Sequence, residues 1–254
     1  MHDFFALPTN RDTAMAARTP LYRTLKLQFT EALREGRWKH GQKIASESAL
    51  AQRYGVSVGT VRKAVGELVA ENILVREQGR GTFVRSHGRD YMLSVFFRIV
   101  GKDGAHELPA VRLLSMTQAR ADGTTAEALR IKPRSPIVDV ENLLSLDGRP
   151  AILDRMRVPR SLFPDLTERV FAGREGTVYG FFQDRYGVTV MRAQEFITAV
   201  PADRRTAELL CVQPGDPLLR IARTSYTYRD VPVDYRIRLL SCAHHGYLST
   251  LGKM

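Results

Sequence analysis

Apolar positions recur at spacings of three and four along the first third of the chain, and at a spacing of two along much of the rest. Leu21, Leu25, Phe29 and Leu33 form one helical stripe, opened by Pro20 in the first turn and stopped at Gly36. Ser46 is a candidate N-cap for a short helix with Leu50 and Ala51 on its buried side, ended by Gly55. Ser57 caps a second helix, in which Val61, Ala64, Val65, Leu68 and Val69 make the apolar face. Ile73 to Glu77 and Thr82 to Arg85 then alternate around Gln78-Gly79-Arg80-Gly81, a β-hairpin pattern. Helix, tight turn, helix and basic glycine hairpin, in that order, predict a winged helix-turn-helix. The first helix should pack behind it, with Trp38 as a core aromatic.

Beyond about Tyr91 the period changes. Alternating runs at Leu93 to Val100, Ile137 to Leu146, Ala151 to Val158, Val188 to Val200, Leu218 to Tyr228 and Val231 to Leu240 predict strands. Ala119 to Leu129, Thr177 to Tyr186 and Ala202 to Leu210 predict helices between them. The class is α+β, with an antiparallel sheet in the second domain and helices flanking it. The expected divisions are a mobile tail over 1–18, the winged helix-turn-helix over 19–85, a linker over 86–92 beginning in the aperiodic run after Arg85, and a second domain over 93–251. Phe4 and Phe5 in the tail have no assigned role.

In the hairpin from Ile137 to Val158, Val138, Val140, Leu144, Leu146, Ile152, Met156 and Val158 share even parity, and Asn142 and Asp154 interrupt their face. Even can face even if the loop has three residues, Asp147-Gly148-Arg149, and that loop is expected. Asn142 and Asp154 then oppose each other in an apolar layer. They either satisfy one another or orient a ligand.

A formal charge of +11 and a pI near 10 favour a polyanionic partner. Residues 1–90 hold 15 Lys and Arg against 9 Asp and Glu, and the remainder holds 23 against 18, so the head is the more densely basic part. Cys211 and Cys242 have no metal-ligand spacing and are expected to be buried thiols in a reducing compartment, with no disulfide, metal or cofactor. No apolar run reaches membrane-spanning length, and the first residues lack a basic region followed by an apolar one. A cytoplasmic protein without a membrane partner is the expectation.

A recognition helix placed in the major groove presents its N-terminal residues to base edges, which makes Ser57, Val58, Thr60, Arg62 and Lys63 reading candidates. Arg62 can bond guanine O6 and N7 with its two-pronged guanidinium, and Val58 can touch only a thymine methyl. Ser46 at the first helix, with Arg76, Gln78, Gly79, Arg80, Gly81 and Thr82 of the wing, are candidates for phosphate or minor-groove contact.

Ser46-Glu47, Gly55-Val56-Ser57, Thr60-Val61-Arg62, Ala64, Leu68 and Gln78 to Val84 together resemble the head of the GntR family of bacterial transcription regulators. The resemblance implies operator contacts from Arg62, Thr60 and Gly79. Ala45, Ser48 and Val58 stand where the family usually has a proline and two arginines, which implies an operator unlike the family's commonest. From Leu93 to about Leu251 the chain resembles the effector-binding (UTRA) domain of the HutC-type subfamily, a chorismate-lyase-like fold. Phe97-Arg98 with Gly101 and Gly104, Asp147 to Pro150, Phe163 to Leu166, Thr177-Val178-Tyr179, Tyr186 to Val188 and Pro214 to Leu218 carry that likeness. It implies an effector site at Phe97, Arg98, Asn142, Leu144, Asp154, Thr177, Tyr179, Asp234 and Arg236. Asn142 and Leu144 replace two arginines that the subfamily often aims at an acidic effector.

Arg98, Arg155, Arg157, Arg236 and Arg238 are further candidates for a ligand carboxylate, and His244, His245 and Tyr247 for closing the cavity. The expected function is a non-enzymatic transcription regulator, a repressor, binding an operator in double-stranded DNA as a homodimer and answering a small organic acid or amino-acid derivative. The alternatives are a lyase-like enzyme tethered to DNA and a ligand-free DNA binder. No Ser-His-Asp order, metal spacing or phosphate loop supports catalysis, and polar residues at 142 and 154 argue against a purely structural sheet.

Overall fold

The computed structural model describes residues 20–85 and 95–250. The expected tail, with Phe4 and Phe5, and the expected linker over 86–92 lie outside them. The chain divides into two compact units, Met1–Val84 and Arg85–Met254.

In the first unit three helices, α1 (Leu21–Arg34), α2 (Glu47–Tyr54) and α3 (Val58–Ala70), precede a two-stranded wing, β1 (Leu74–Glu77) and β2 (Gly81–Val84). Each boundary has a local cause. Ser46 Oγ accepts from Ala49 N and Ser57 Oγ from Thr60 N, satisfying amides that a helix start leaves unpaired. Between them Gly55 adopts φ +64°, the left-handed conformation that ends α2. Leu25, Phe29 and Leu33 of α1 meet the apolar face of α3, and Trp38 is buried with its ring 5.0 Å from that of Phe29. Leu21, at the start of the same stripe, is exposed. Lys43 bridges to Phe83, which adds a third short edge to the wing.

The second unit is built on a six-stranded antiparallel sheet of β4 (Ala110–Arg120), β5 (Pro136–Leu146), β6 (Arg149–Pro159), β7 (Arg192–Pro201), β8 (Pro217–Tyr226) and β9 (Pro232–Ser241), in the order β4-β5-β6-β9-β8-β7. β3 (Ile99–Gly101) pairs separately with β10 (His245–Tyr247). Ala126 and Leu129 of α4 (Gly123–Leu129), with Ala207 and Leu210 of α7 (Arg204–Leu210), pack on one face against Ile137, Leu143 and Leu153. Phe171 of α5 (Glu168–Ala172), with Tyr179 and Phe182 of α6 (Val178–Tyr186), packs on the other against Val138, Val140, Met156 and Val158.

Several expectations change. Of the strand expected over Leu93 to Val100, Val95 and Phe96 lie in a helical turn and pairing begins only at Ile99. Ala119 and Arg120 end β4 instead of starting a helix, α7 begins at Arg204 behind an Asp203 cap, and residues 188–191 precede β7 without regular structure. β8 ends at Tyr226, because residues 228–230 form a 3-10 turn with Arg229 at φ +60°. β4 was not expected at all. As an edge strand it is exposed or half-exposed on both faces, and its register slips between Leu113 and Ser115, so no alternation survives in its sequence.

The β5–β6 register is as expected, with Val140 opposite Met156 and Asn142 opposite Asp154, but the means differ. Leu146 pairs with Arg149 across a two-residue turn in which Asp147 (φ +48°) and Gly148 (φ +68°) both take the positive φ of a type I′ hairpin. A bulge at Ala151 then restores even-to-even pairing. Both cysteines are exposed, not buried. Cys211 caps α7 in the left-handed region and Cys242 follows β9.

Candidate functional site

In the head the candidate reading residues fall on one exposed end of α3 and on the wing. Val58, the first residue of α3, is exposed, and Thr60 Oγ1 lies 2.9 Å from Ser57 Oγ. The Arg62 side chain is largely exposed, and its Nε donates to Glu47 Oε2 at 2.8 Å. Arg76 of the wing donates from Nη2 to the other oxygen, Glu47 Oε1, at 3.0 Å. Lys63 lies over the Tyr22 ring of α1, 4.0 Å from its centroid, and so faces a different neighbour from Arg62. At the wing tip Gln78, Gly79 and Arg80 are exposed, and Arg80 pairs with Glu77 while its guanidinium sits over Phe83. Gly81 has φ +118°, and a Cβ there would come within 2.7 Å of Lys43 Cε, so no other residue fits that turn without strain. Thr82 is half-buried, and its carbonyl accepts from Ile44 N.

The second unit keeps its charges inside. Register places Asn142, Asp154, Arg238 and Ile221 in one row across the sheet, and Val140, Met156, Arg236, Arg223 and Glu195 in the next. Asp154 is buried and accepts from Arg238 Nε at 2.8 Å, with Arg236 Nη1 at 3.4 Å. Burial alone would raise the Asp154 carboxyl, but the guanidiniums of Arg236 and Arg238 hold it below the ordinary carboxylate value. Arg236 Nε stands 3.5 Å from Asp234, which is fully buried. Burial works against the Arg236 charge too, and Asp154 and Asp234 outweigh it, so that guanidinium is cationic throughout the accessible range. Tyr179 O–H and Ser225 Oγ share a 2.7 Å hydrogen bond, and burial, followed by the Asp234 charge, pushes the phenol up.

Above these rows lies a cavity of about 110 Å³. Arg236, Arg238 and Leu144 line it from the sheet. Thr177, Val178 and Tyr179 come from the start of α6, Arg174 and Gly176 from the loop before it, Phe97 from the segment before β3, Leu108 and Pro109 from the approach to β4, and Val111 from β4 itself. Thr177 caps α6, accepting from Gly180 N. Thus Phe97, Leu144, Thr177, Tyr179 and Arg236 of the expected set meet at one cavity. Asp154 and Asp234 lie beside Arg236 in the layer beneath, and Asn142 is buried next to Asp154 with no hydrogen-bond partner for its Oδ1 among the described residues. Arg98 does not join them. It donates back to the Val95 carbonyl.

Arg155 and Arg157 pair with Asp139 and do not line this cavity. His244 and His245 line a different, more polar hollow with Asp103, Glu107 and Asp147, and Tyr247 donates to Glu195. The residue overlooked in the sequence is Arg174. Its Nη1 caps the Phe171 carbonyl at 2.6 Å and its Nε has no partner among the described residues. Burial, with the Arg236 charge behind it, lowers its pKa. Its position one turn before the Thr177 cap, in Gly173-Arg174-Glu175-Gly176, was the available signal.

A basic winged helix-turn-helix joined to a sheet domain that holds a small, arginine-lined cavity defines a DNA-binding regulator with a small-molecule sensor. Residues 21–84 match the model of the bacterial regulatory proteins of the gntR family, and residues 105–241 match the UTRA domain. The chain is 31% identical to the uncharacterized HTH-type transcriptional regulator YurK of Bacillus subtilis, over 85% of this chain and 88% of that protein. It is 30% identical to the probable fructoselysine utilization operon transcriptional repressor of Escherichia coli, over 84% and 87%. The ligand-binding domain of a candidate GntR-family transcriptional regulator from Bordetella bronchiseptica superposes with a TM-score of 0.58 at 32% identity, covering 61% of this chain and 96% of that one. The chain belongs to the GntR family, in its UTRA-bearing, HutC-type branch. It is a DNA-binding transcription regulator whose operator affinity is modulated by an effector held in the second unit.

Proposed function

We propose that the protein is a cytoplasmic repressor that binds a pseudo-palindromic operator as a homodimer and is regulated by a small anionic effector, an organic acid or amino-acid derivative. Two-fold symmetry would set two recognition helices about one DNA turn apart, so that both half-sites contribute affinity. Arg174 carries the assignment of effector charge. Three guanidiniums, Arg174, Arg236 and Arg238, reach one cavity whose buried acids Asp154 and Asp234 already serve Arg236 and Arg238, and Arg174 Nε is left without a partner among the described residues. A bound carboxylate would supply that partner and offset the repulsion between Arg174 and Arg236. Thr177, Asn142 and the apolar wall of Phe97, Leu144 and Val178 would orient the remainder of the ligand.

A path for the signal is also supported. Phe97 lines the cavity, and the carbonyl of its neighbour Phe96 accepts from Arg223, which in turn donates to Glu195 at 2.6 Å. A ligand that shifts Phe97 acts on the segment that follows the junction of the two units in sequence. Its effect on DNA binding equals its preference between the DNA-bound and the free protein.

Thermal unfolding against small carboxylates, amino-acid derivatives and sugar phosphates tests the assignment, since a ligand of the folded state raises the transition by mass action. A carboxylate that stabilises the wild type is expected to lose at least tenfold in affinity for Arg174→Gln, with the unliganded transition unchanged. Stabilisation undiminished in Arg174→Gln would place the anion elsewhere.

A further inference from the structure

Glu47 is an acidic residue on a face meant for a polyanion. By charge alone it should weaken DNA binding, because a carboxylate near phosphates repels them. Its geometry gives it a different role. It is the first residue of α2, next to the Ser46 cap, and its side chain is three-quarters buried, with its carboxylate bonded to the recognition helix and the wing. One oxygen takes Arg62, 15 residues on, and the other takes Arg76, 29 residues on. The two arginines come from different elements, and this one carboxylate holds both.

The atoms it engages decide what is left for DNA. Arg62 spends only Nε–H on Glu47, which leaves the two terminal nitrogens as an outward fork of the geometry that matches guanine O6 and N7. Arg76 spends Nη2 and keeps Nε and Nη1 for phosphate or a groove edge. An arginine side chain has several rotatable bonds, so aiming it in advance lowers the ordering cost of the DNA complex.

We propose that Glu47 is a positioning residue for sequence readout, aiming Arg62 at its base and fixing the wing through Arg76, so that it contributes specificity while opposing nonspecific affinity. Arg80, paired with Glu77 inside the wing, has no such tie to the recognition helix.

The test uses the full-length protein and two duplexes of equal length, one enriched by the wild type from a randomised pool and one of scrambled sequence. Glu47→Gln keeps the shape and removes the charge. Affinity for the enriched duplex should fall at least tenfold, while affinity for the scrambled duplex holds or rises. A pool selected anew with Glu47→Gln should show weakened preference at the base that Arg62→Ala also relaxes. Within an Arg62→Ala background, Glu47→Gln should change enriched-duplex affinity by less than threefold, because its main client is gone. An unchanged unfolding transition for Glu47→Gln would separate lost aim from lost fold; if the transition falls, Glu47→Asp, which keeps the charge on a shorter arm, must recover base preference. Enriched-duplex binding by Glu47→Gln as tight as wild type with the same base profile, or equal losses on both duplexes, would overturn the proposal.

Discussion

The two units hold arginine in opposite ways. In the head, Arg62, Arg76 and Arg80 are about half-exposed or more and lean on partly exposed glutamates, whereas Arg223, Arg236 and Arg238 in the sheet domain are almost fully buried among Asp154, Asp234 and Glu195. An exposed pair is screened by water and contributes little to stability, so a head arginine can turn its remaining nitrogens to DNA at small cost. A buried pair behaves otherwise. Its charges have left water, and each depends on the other to stay there. The head is therefore built to take on a further partner, and the sheet domain to hold a fixed electrostatic frame that an entering anion perturbs.

Removing Asp154 should have the largest effect. Asp154→Ala strands Arg236 and Arg238 in the protein interior, and a loss of about 3–5 kcal/mol is expected, read as a lower denaturant midpoint for the second unit. A loss below about 1 kcal/mol would mean that water reaches the row. Arg62→Ala should cost on the order of 1–3 kcal/mol of discrimination between the enriched duplex and one altered at a single base, with the unfolding transition unmoved. Equal discrimination by the variant would remove Arg62 from the readout.

The smallest effect, between pH 7 and about 4, sharpens the same contrast. Asp154 and Glu195 are both held below their ordinary values, burial opposing and neighbouring guanidiniums prevailing. Carboxyls depressed in the folded state contribute stability that is present above their unfolded pKa, about 4, and lost as pH falls through the folded one. The second unit should hold its stability nearly flat to about pH 4 and lose it below. A steady decline starting near pH 6, followed by urea midpoint, would contradict this sign.

Features set by residues a few positions apart were legible in the sequence. Ser46 and Ser57 cap helices three residues away, Gly55 ends the first of these, and alternation in β5 and β6 placed Asn142 opposite Asp154. The two-residue turn with a bulge at Ala151 was not, because it gives the same parity as the three-residue loop expected there. β4 escaped because an edge strand with both faces partly wet has no burial period to reveal it. Glu47 and Arg174 escaped for a common reason. Each acquires its role from partners or neighbours that the fold brings from elsewhere, Glu47 from Arg62 and Arg76, Arg174 from Arg236. Arg98 shows the converse, since its motif position was clear and its side chain turns back to Val95.

Coupling between the units is the central claim, and it is tested most directly by titrating the full-length protein onto the enriched duplex with and without the carboxylate found by thermal unfolding. Saturating ligand should change operator affinity at least fivefold, and operator DNA should change ligand affinity by the same factor, since linkage is reciprocal. A carboxylate that binds the second unit tightly in an Arg174-dependent way and leaves operator affinity unaltered would contradict it.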